Sequence, residues 1–120
     1  MTDRPRLLPA FAAACGFLAV AAGAFGAHAI ADFYAKDVLR TGATYGLVHA
    51  LAVFVALSFD GRGARLAAWL FAVGGAVFAI SLYILALSGV RWLGAITPLG
   101  GLAMMAGWVA LAVAAMRPGT

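Results

Sequence analysis

The chain has 120 residues, of which 66% are hydrophobic and only 10% are charged, and its formal net charge is +4. A soluble domain carries about a quarter charged residues because its surface faces water, so this composition excludes an ordinary soluble fold. The positive charges lie in short separate segments and form no basic cluster, which argues against nucleic acid as a partner.

The charged residues divide the chain into four uncharged runs of 25, 19, 25 and 25 residues, namely 7–31, 41–59, 66–90 and 92–116. About 20 helical residues cross a hydrocarbon core of about 30 Å, so each run is long enough for one crossing and too short for two. Lipid offers no partner for unpaired backbone groups, and the alternating ten-residue segments of a membrane barrel are absent. We therefore predict an all-α integral membrane protein, a single domain over 1–120 that forms an antiparallel four-helix transmembrane bundle.

The first run has two interpretations. Arg4 and Arg6 precede it and Ala27-His28-Ala29 lies near its end, a pattern that a secretory signal with a cleavage site also shows. Signal cores are about 7–15 residues long, so a run of 25 residues favours a retained helix. Cys15 lies inside this run and is the only cysteine, which excludes an internal disulfide and a cysteine-based metal site.

The connection between the first two runs, Asp32–Arg40, mixes apolar and charged residues at roughly helical spacing. Asp32 and Lys36 form an i,i+4 pair with the acid first, the better order for a helix. Two interpretations stay open: a short interfacial helix in the headgroup layer, or an ordinary loop with aromatic anchors.

The fourth run contains Thr97-Pro98. Proline inside a helix loses a hydrogen bond but suits the first helical position, with threonine before it as the N-cap. We therefore expect a break here, with the spanning helix starting at Pro98 after an interfacial approach that begins at Arg91. A continuous helix with a proline kink is the alternative.

The orientation follows from basic residues at the two membrane faces. With four crossings, one face carries five basic residues (Arg4, Arg6, Arg62, Arg65 and Arg117) and the other carries three (Lys36, Arg40 and Arg91). The positive-inside rule then places both termini in the cytoplasm.

Span order brings the polar residues of the runs toward one membrane face. The predicted cluster consists of His28, Tyr45, His49, Tyr83 and Thr97.

Close helix packing is predicted at five glycines, Gly42, Gly46, Gly100, Gly101 and Gly107, because small residues let helices approach. Ser81 is about 200° around its helix from Tyr83, so the two side chains are expected to face different neighbours.

A histidine at membrane depth indicates either a functional site or an imidazole that bonds a neighbouring helix and fixes the packing. Zinc needs three or four ligands, and no carboxylate is placed to orient the rings for haem. We therefore predict no metal or other cofactor. No nucleophile has an adjacent base and no nucleotide signature occurs, so the chain is not expected to be an enzyme.

Several segments resemble a known family. They are Gly23-Ala-Phe-Gly-Ala-His28-Ala, Thr41-Gly-Ala-Thr-Tyr45-x-x-x-His49-Ala-Leu-Ala, Ser81-Leu-Tyr83, and Leu93-Gly-Ala-Ile-Thr97-Pro98-Leu-Gly100-Gly101 followed by Gly107-Trp108. Together they resemble the small membrane proteins of the domain of unknown function 423 family, the YgdD type. Ala79-Ile80 departs from the small Ser-Gly pair of that pattern, so a looser helix approach is expected there. The resemblance implies a four-span inner-membrane protein and brings no biochemical activity.

Three functions stay open from the sequence. The first is a non-enzymatic accessory or scaffold protein that packs against a larger membrane complex or a second copy. The second is a binder of a lipid, quinone or other small hydrophobic ligand at the predicted cluster, and the third is an ion or proton pathway through the histidines. A single protomer of this size has little room for a substrate path, and no run carries a charge at mid-membrane.

Overall fold

The computed structural model describes residues 6–117. It contains four α-helices joined by short connections: α1 (Leu7–Ala29), α2 (Phe33–Leu57), α3 (Arg62–Ser88) and α4 (Leu93–Met116). By length and composition, all four are able to cross a membrane. The connections are too short to carry the chain back across the membrane, so successive helices run antiparallel. The prediction of an all-α four-helix transmembrane fold is confirmed.

Helix α2 begins earlier than the uncharged run does. The carboxylate of Asp32 accepts a hydrogen bond from the Ala35 backbone N–H at 2.9 Å and so caps the helix at its N-terminus. The helix then continues without interruption into the membrane-crossing part. Neither a separate interfacial helix nor a loop is present, because a capped, uninterrupted helix satisfies the backbone of the charged segment.

Helix α4 also begins earlier than predicted, at Leu93 rather than at Pro98. Its first turn is built from i→i−3 bonds, such as Leu93 N–H to the Val90 carbonyl and Gly94 N–H to the Arg91 carbonyl. Thr97 is not an N-cap, because its hydroxyl lies inside the helix, with its oxygen 3.3 Å from the Leu93 carbonyl oxygen of the preceding turn. The predicted break is therefore wrong, and the continuous helix is the alternative that the structure adopts.

Helix α3 is the centre of the packing. It contacts α2 on one side and α4 on the other, whereas α1 packs on α2 and touches α3 only lightly. Phe71 of α3 and Val53 of α2 are fully buried. The buried residues of α1 are only three, Ala12, Ala19 and Gly26. The molecule is therefore a row of packed helices with α1 at its outer edge, and most of the α1 surface faces outward.

The tightest crossing joins α3 and α4 at two glycines. A Cβ atom on Gly100 would lie 2.6 Å from the Phe78 backbone nitrogen and 2.7 Å from the Gly74 carbonyl oxygen. A Cβ on Gly74 would in turn lie 2.9 Å from the Gly100 carbonyl oxygen. The two backbones are in direct contact here, which only glycine permits.

The α2–α3 contact also brings two small residues together, Gly46 on α2 and Ala79 on α3. A Cβ on Gly46 would lie 3.1 Å from the Ala79 Cβ, so the helices still approach closely where the family pattern has a Ser-Gly pair. Ala79 is buried and Ile80 is exposed, which explains why the larger residue does not separate the helices. The expected loosening at this point does not occur.

Candidate functional site

His49 lies where α2, α3 and α4 meet, and it is only 5% exposed. Its Nε2 accepts a hydrogen bond from the Trp108 indole N–H at 3.0 Å. Its Nδ1 lies 2.7 Å from the Tyr45 carbonyl oxygen, one turn earlier on α2. Because Nε2 accepts, Nδ1 carries the proton and donates to that carbonyl, which defines a neutral imidazole. Both ring nitrogens are used, so neither offers a lone pair to a metal.

The imidazole is also held between aromatic rings. Its centroid lies 5.7 Å from the Phe71 ring and 5.8 Å from the Trp108 ring, the latter edge-on at 74°. Phe71 and Trp108 contact each other at 4.8 Å. On the α3 side, a Cβ on Gly75 would lie 3.1 Å from the His49 Cβ. These contacts leave the imidazole no space in which to turn toward a ligand.

A second buried polar contact joins α3 to α4. The Ser81 and Thr97 hydroxyl oxygens lie 2.6 Å apart, and both residues are buried. Ser81 Oγ also lies 2.9 Å from the Phe78 carbonyl oxygen, and Thr97 Oγ1 lies 3.3 Å from the Leu93 carbonyl oxygen. The two hydroxyl protons serve the contact between the hydroxyls and one of these two carbonyls. Both oxygens are thereby satisfied within the helix pair. Sequence reasoning placed Thr97 in the cluster but did not identify Ser81 as its partner.

Tyr83 packs on the opposite face of α3 from Ser81, as the angular separation predicts. Its ring lies over the α2 backbone, where a Cβ on Gly42 would come within 2.9 Å of the Tyr83 Cε1. The Tyr83 hydroxyl is buried and has no hydrogen-bond partner within residues 6–117. Two cavities of about 10 Å³ each lie between α1, α2 and α3, and both are lined by Cys15 and Gly46. A cavity of that size holds one water molecule at most.

His28 lies apart from the other predicted residues. It is exposed near the C-terminal end of α1, whereas His49 is buried against α3 and α4. The two histidines therefore do not share a site. The predicted polar cluster divides into His49 with Tyr45, Thr97 with Ser81, Tyr83 against α2, and an outward-facing His28.

The arrangement restricts the chemistry available inside the bundle. Within the part of the chain that the structure describes, no group of three or more histidine, cysteine or acidic side chains is placed to hold a metal ion. The two cavities between α1, α2 and α3, of about 10 Å³ each, are too small for a quinone or an acyl chain. The buried polar groups consequently act as contacts between helices.

Sequence reasoning missed Trp108 as the partner of His49. A signal for it exists, because Trp108 lies well inside the fourth uncharged run and not at its ends, where membrane tryptophans collect. An indole N–H at membrane depth has no water to bond and needs an acceptor, and the neutral histidine is one of few acceptors at that depth. The depth of a tryptophan within a run is therefore a usable clue to a polar partner.

Replacing Tyr83 with phenylalanine should leave the free energy of unfolding unchanged or raise it by up to about 1 kcal/mol. The hydroxyl is buried without a partner in the described chain, so its removal also removes a desolvation cost. Unfolding with increasing sodium dodecyl sulfate in mixed micelles, followed by circular dichroism, measures the change. A loss of more than 1 kcal/mol would mean that the hydroxyl makes a stabilising contact.

Comparisons with known proteins agree with this description of a membrane protein. Residues 22–101 match the family described as protein of unknown function DUF423. The chain is 44% identical to the UPF0382 membrane protein YwdK of Bacillus subtilis over 83% of its own length and 88% of the relative's. It is 37% identical to the UPF0382 inner membrane protein YgdD of Escherichia coli K12, over 98% and 93% of the two chains. No solved structure matches it. The chain therefore belongs to the DUF423 family of membrane proteins, whose function is not known.

Proposed function

We propose that this protein is a non-enzymatic accessory component of the membrane that packs through α1 against a larger membrane protein or a second copy of itself. The observation that carries the proposal is the exposed face of α1. Only three of its 23 residues are buried inside the protein, although it is long and apolar enough to span the membrane.

The exposed face of α1 has the composition of a helix–helix interface. One row at alternating spacings of four and three residues is exposed along its whole length, and it consists of Ala10, Ala14, Phe17, Ala21, Ala24 and His28. These positions fall within about 40° of one direction around the helix. Small residues let a second helix approach closely, and a histidine in the same row can form a hydrogen bond across such a contact.

The polar interior supports the non-enzymatic part of the proposal. Both nitrogens of His49 and both hydroxyls of the Ser81–Thr97 pair are occupied by partners inside the protein. A catalytic or binding group needs at least one free polar atom that faces a space large enough for its substrate. These groups have neither.

A matched pair of double substitutions tests the proposal. Ala14→Leu with Ala21→Leu fills the α1 row with branched side chains and should abolish stoichiometric co-purification of a partner in mild detergent. Ala112→Leu with Ala115→Leu makes the same change at exposed positions of α4 and should leave co-purification intact. Mass spectrometry of the purified assembly and its mass in solution provide the readout. A lone protomer before any substitution, or equal behaviour of the two variants, would contradict the proposal.

We propose further that both termini face the cytoplasm and that the protein resides in the inner (plasma) membrane. The excess of basic residues on the face that carries the termini supports this orientation. Arg4, one of the residues counted there, lies outside the described residues. A C-terminal green fluorescent protein fusion should fluoresce and a C-terminal alkaline phosphatase fusion should be inactive. The reverse pattern would invert the orientation.

A further inference from the structure

A cleft opens at the membrane face where α1 and α3 begin. Its volume is about 470 Å³, and two arginines, Arg6 and Arg65, line it together with apolar side chains that include Leu57 and Trp69. Both arginines are exposed, and no carboxylate within residues 6–117 forms an ion pair with either. The cleft therefore combines two positive charges with an apolar wall.

The start of α1 adds hydrogen-bond donors to the same cleft. Arg6 occupies the N-cap position and no side chain caps the helix. Leu7 and Leu8 in the first turn line the cleft, and N–H groups of a first turn have no partner within their own helix. Free N–H groups and the positive end of the helix dipole favour an anion, and an arginine guanidinium matches a phosphate group with two parallel hydrogen bonds.

A purely apolar groove continues from this cleft along the helices. It has a volume of about 350 Å³, and it shares Leu7, Leu8 and Trp69 with the charged cleft. It then extends to Phe11 on α1 and Val73 on α3, with no polar surface in its lining. The groove exists because α1 packs on α2 and barely contacts α3. A site with positive charges at one end and an apolar groove leading away from them fits an amphiphile, which has a polar headgroup and an apolar tail.

We infer that this combined cleft is a binding site for an anionic phospholipid. The phosphate lies between Arg6 and Arg65 at the start of α1, and one acyl chain follows the groove past Trp69 to Phe11 and Val73. A second cleft of about 460 Å³ at the opposite membrane face provides a contrast. It has a single arginine, Arg91, beside Tyr34, and no apolar groove shares its lining. Of these two clefts, the one at α1 and α3 has both features that a phospholipid needs.

Native mass spectrometry of the full chain in mild detergent tests the charged half of the site. Phosphatidylglycerol and phosphatidylcholine with identical acyl chains serve as probes. The unmodified protein should retain phosphatidylglycerol about tenfold better, as expected for charge-assisted hydrogen bonds to phosphate that a bulky cationic headgroup obstructs. Arg6→Gln with Arg65→Gln should remove that preference, and each single substitution should remove part of it.

The matched control removes the same charge from the same membrane face but outside the cleft. Arg62→Gln with Arg117→Gln should keep the preference for phosphatidylglycerol, since neither residue lines the cleft. Equal losses in the two double variants would reduce the effect to general surface attraction and overturn the inference. So would the absence of any preference in the unmodified protein.

The apolar half has its own pair of variants. Val73→Trp fills the groove and should lower retention of phosphatidylglycerol severalfold, whereas Val109→Trp places the same side chain on the exposed face of α4 and should not. If the two tryptophan variants bind the lipid alike, the acyl chain does not occupy the groove. Comparing the elution volume and circular dichroism of each variant with the unmodified protein identifies any that fails to fold. In that case Val73→Phe, a smaller change at the same exposed position, replaces Val73→Trp as the groove-filling change.

Discussion

Replacing Gly100 with alanine is expected to lower the free energy of unfolding by about 2–3 kcal/mol, the upper range for overpacking a well-packed interface. The new Cβ would lie 2.6 Å from the Phe78 backbone nitrogen and 2.7 Å from the Gly74 carbonyl oxygen. Both atoms belong to the α3 backbone, which cannot move aside as a flexible side chain can. Relief therefore requires α3 and α4 to separate, which stretches the buried contact between Ser81 and Thr97.

The adjacent residue provides the control. A Cβ on Gly101 would lie 3.9 Å from the Phe78 Cδ2, an ordinary van der Waals contact. Gly101→Ala should therefore leave the free energy of unfolding unchanged or raise it by up to about 1 kcal/mol, the helix-propensity difference between alanine and glycine. Unfolding in mixed micelles of increasing sodium dodecyl sulfate content compares the two variants. Similar losses for both would mean that the crossing is looser than the structure describes.

The positions of the charged residues were sufficient to predict the number of helices but not their ends. An uncharged run marks the segment that lies in the hydrocarbon core of the membrane. A helix, in contrast, ends where its i→i−4 backbone hydrogen bonds end. Lys36, Asp37 and Arg40 are compatible with the first turns of α2 because their side chains reach water while the backbone stays helical. Pro98 is compatible with the early part of α4 because little of the helix precedes it and its first turn uses i→i−3 bonds.

The membrane depth of the site residues was predictable from the sequence, but the contacts between them were not. Sequence position gives the depth of a residue in the membrane, and the helical period gives its direction relative to others on the same helix. The separation of Ser81 and Tyr83 onto opposite neighbours followed from that period. Which helix lies opposite each face depends on the packing order, and the charge pattern does not encode that α4 lies beside α3. The pairing of His49 with Trp108 therefore required the structure.

The second large effect is expected at His49. Substitution by alanine should cost about 2–3 kcal/mol, because it empties space between Phe71 and Trp108 and leaves the indole N–H without its acceptor. A double-mutant cycle with Trp108→Phe isolates the hydrogen bond, which should contribute about 1 kcal/mol of coupling, within the range measured between membrane helices. The same mixed-micelle unfolding measures all four proteins of the cycle.

His28→Ala is the control that separates the two histidines. Because His28 is exposed at the end of α1 and lies outside the contacts of His49, its loss should change the free energy of unfolding by less than about 0.5 kcal/mol. If His28 belongs to the interface proposed on α1, the same substitution should instead weaken co-purification of the partner. Equal destabilisation by the two histidine substitutions, or a coupling near zero between His49 and Trp108, would contradict the assignment of His49 as a packing residue. The His49 substitution thus tests how the helices pack, and the His28 substitution tests which surface of the protein binds a partner.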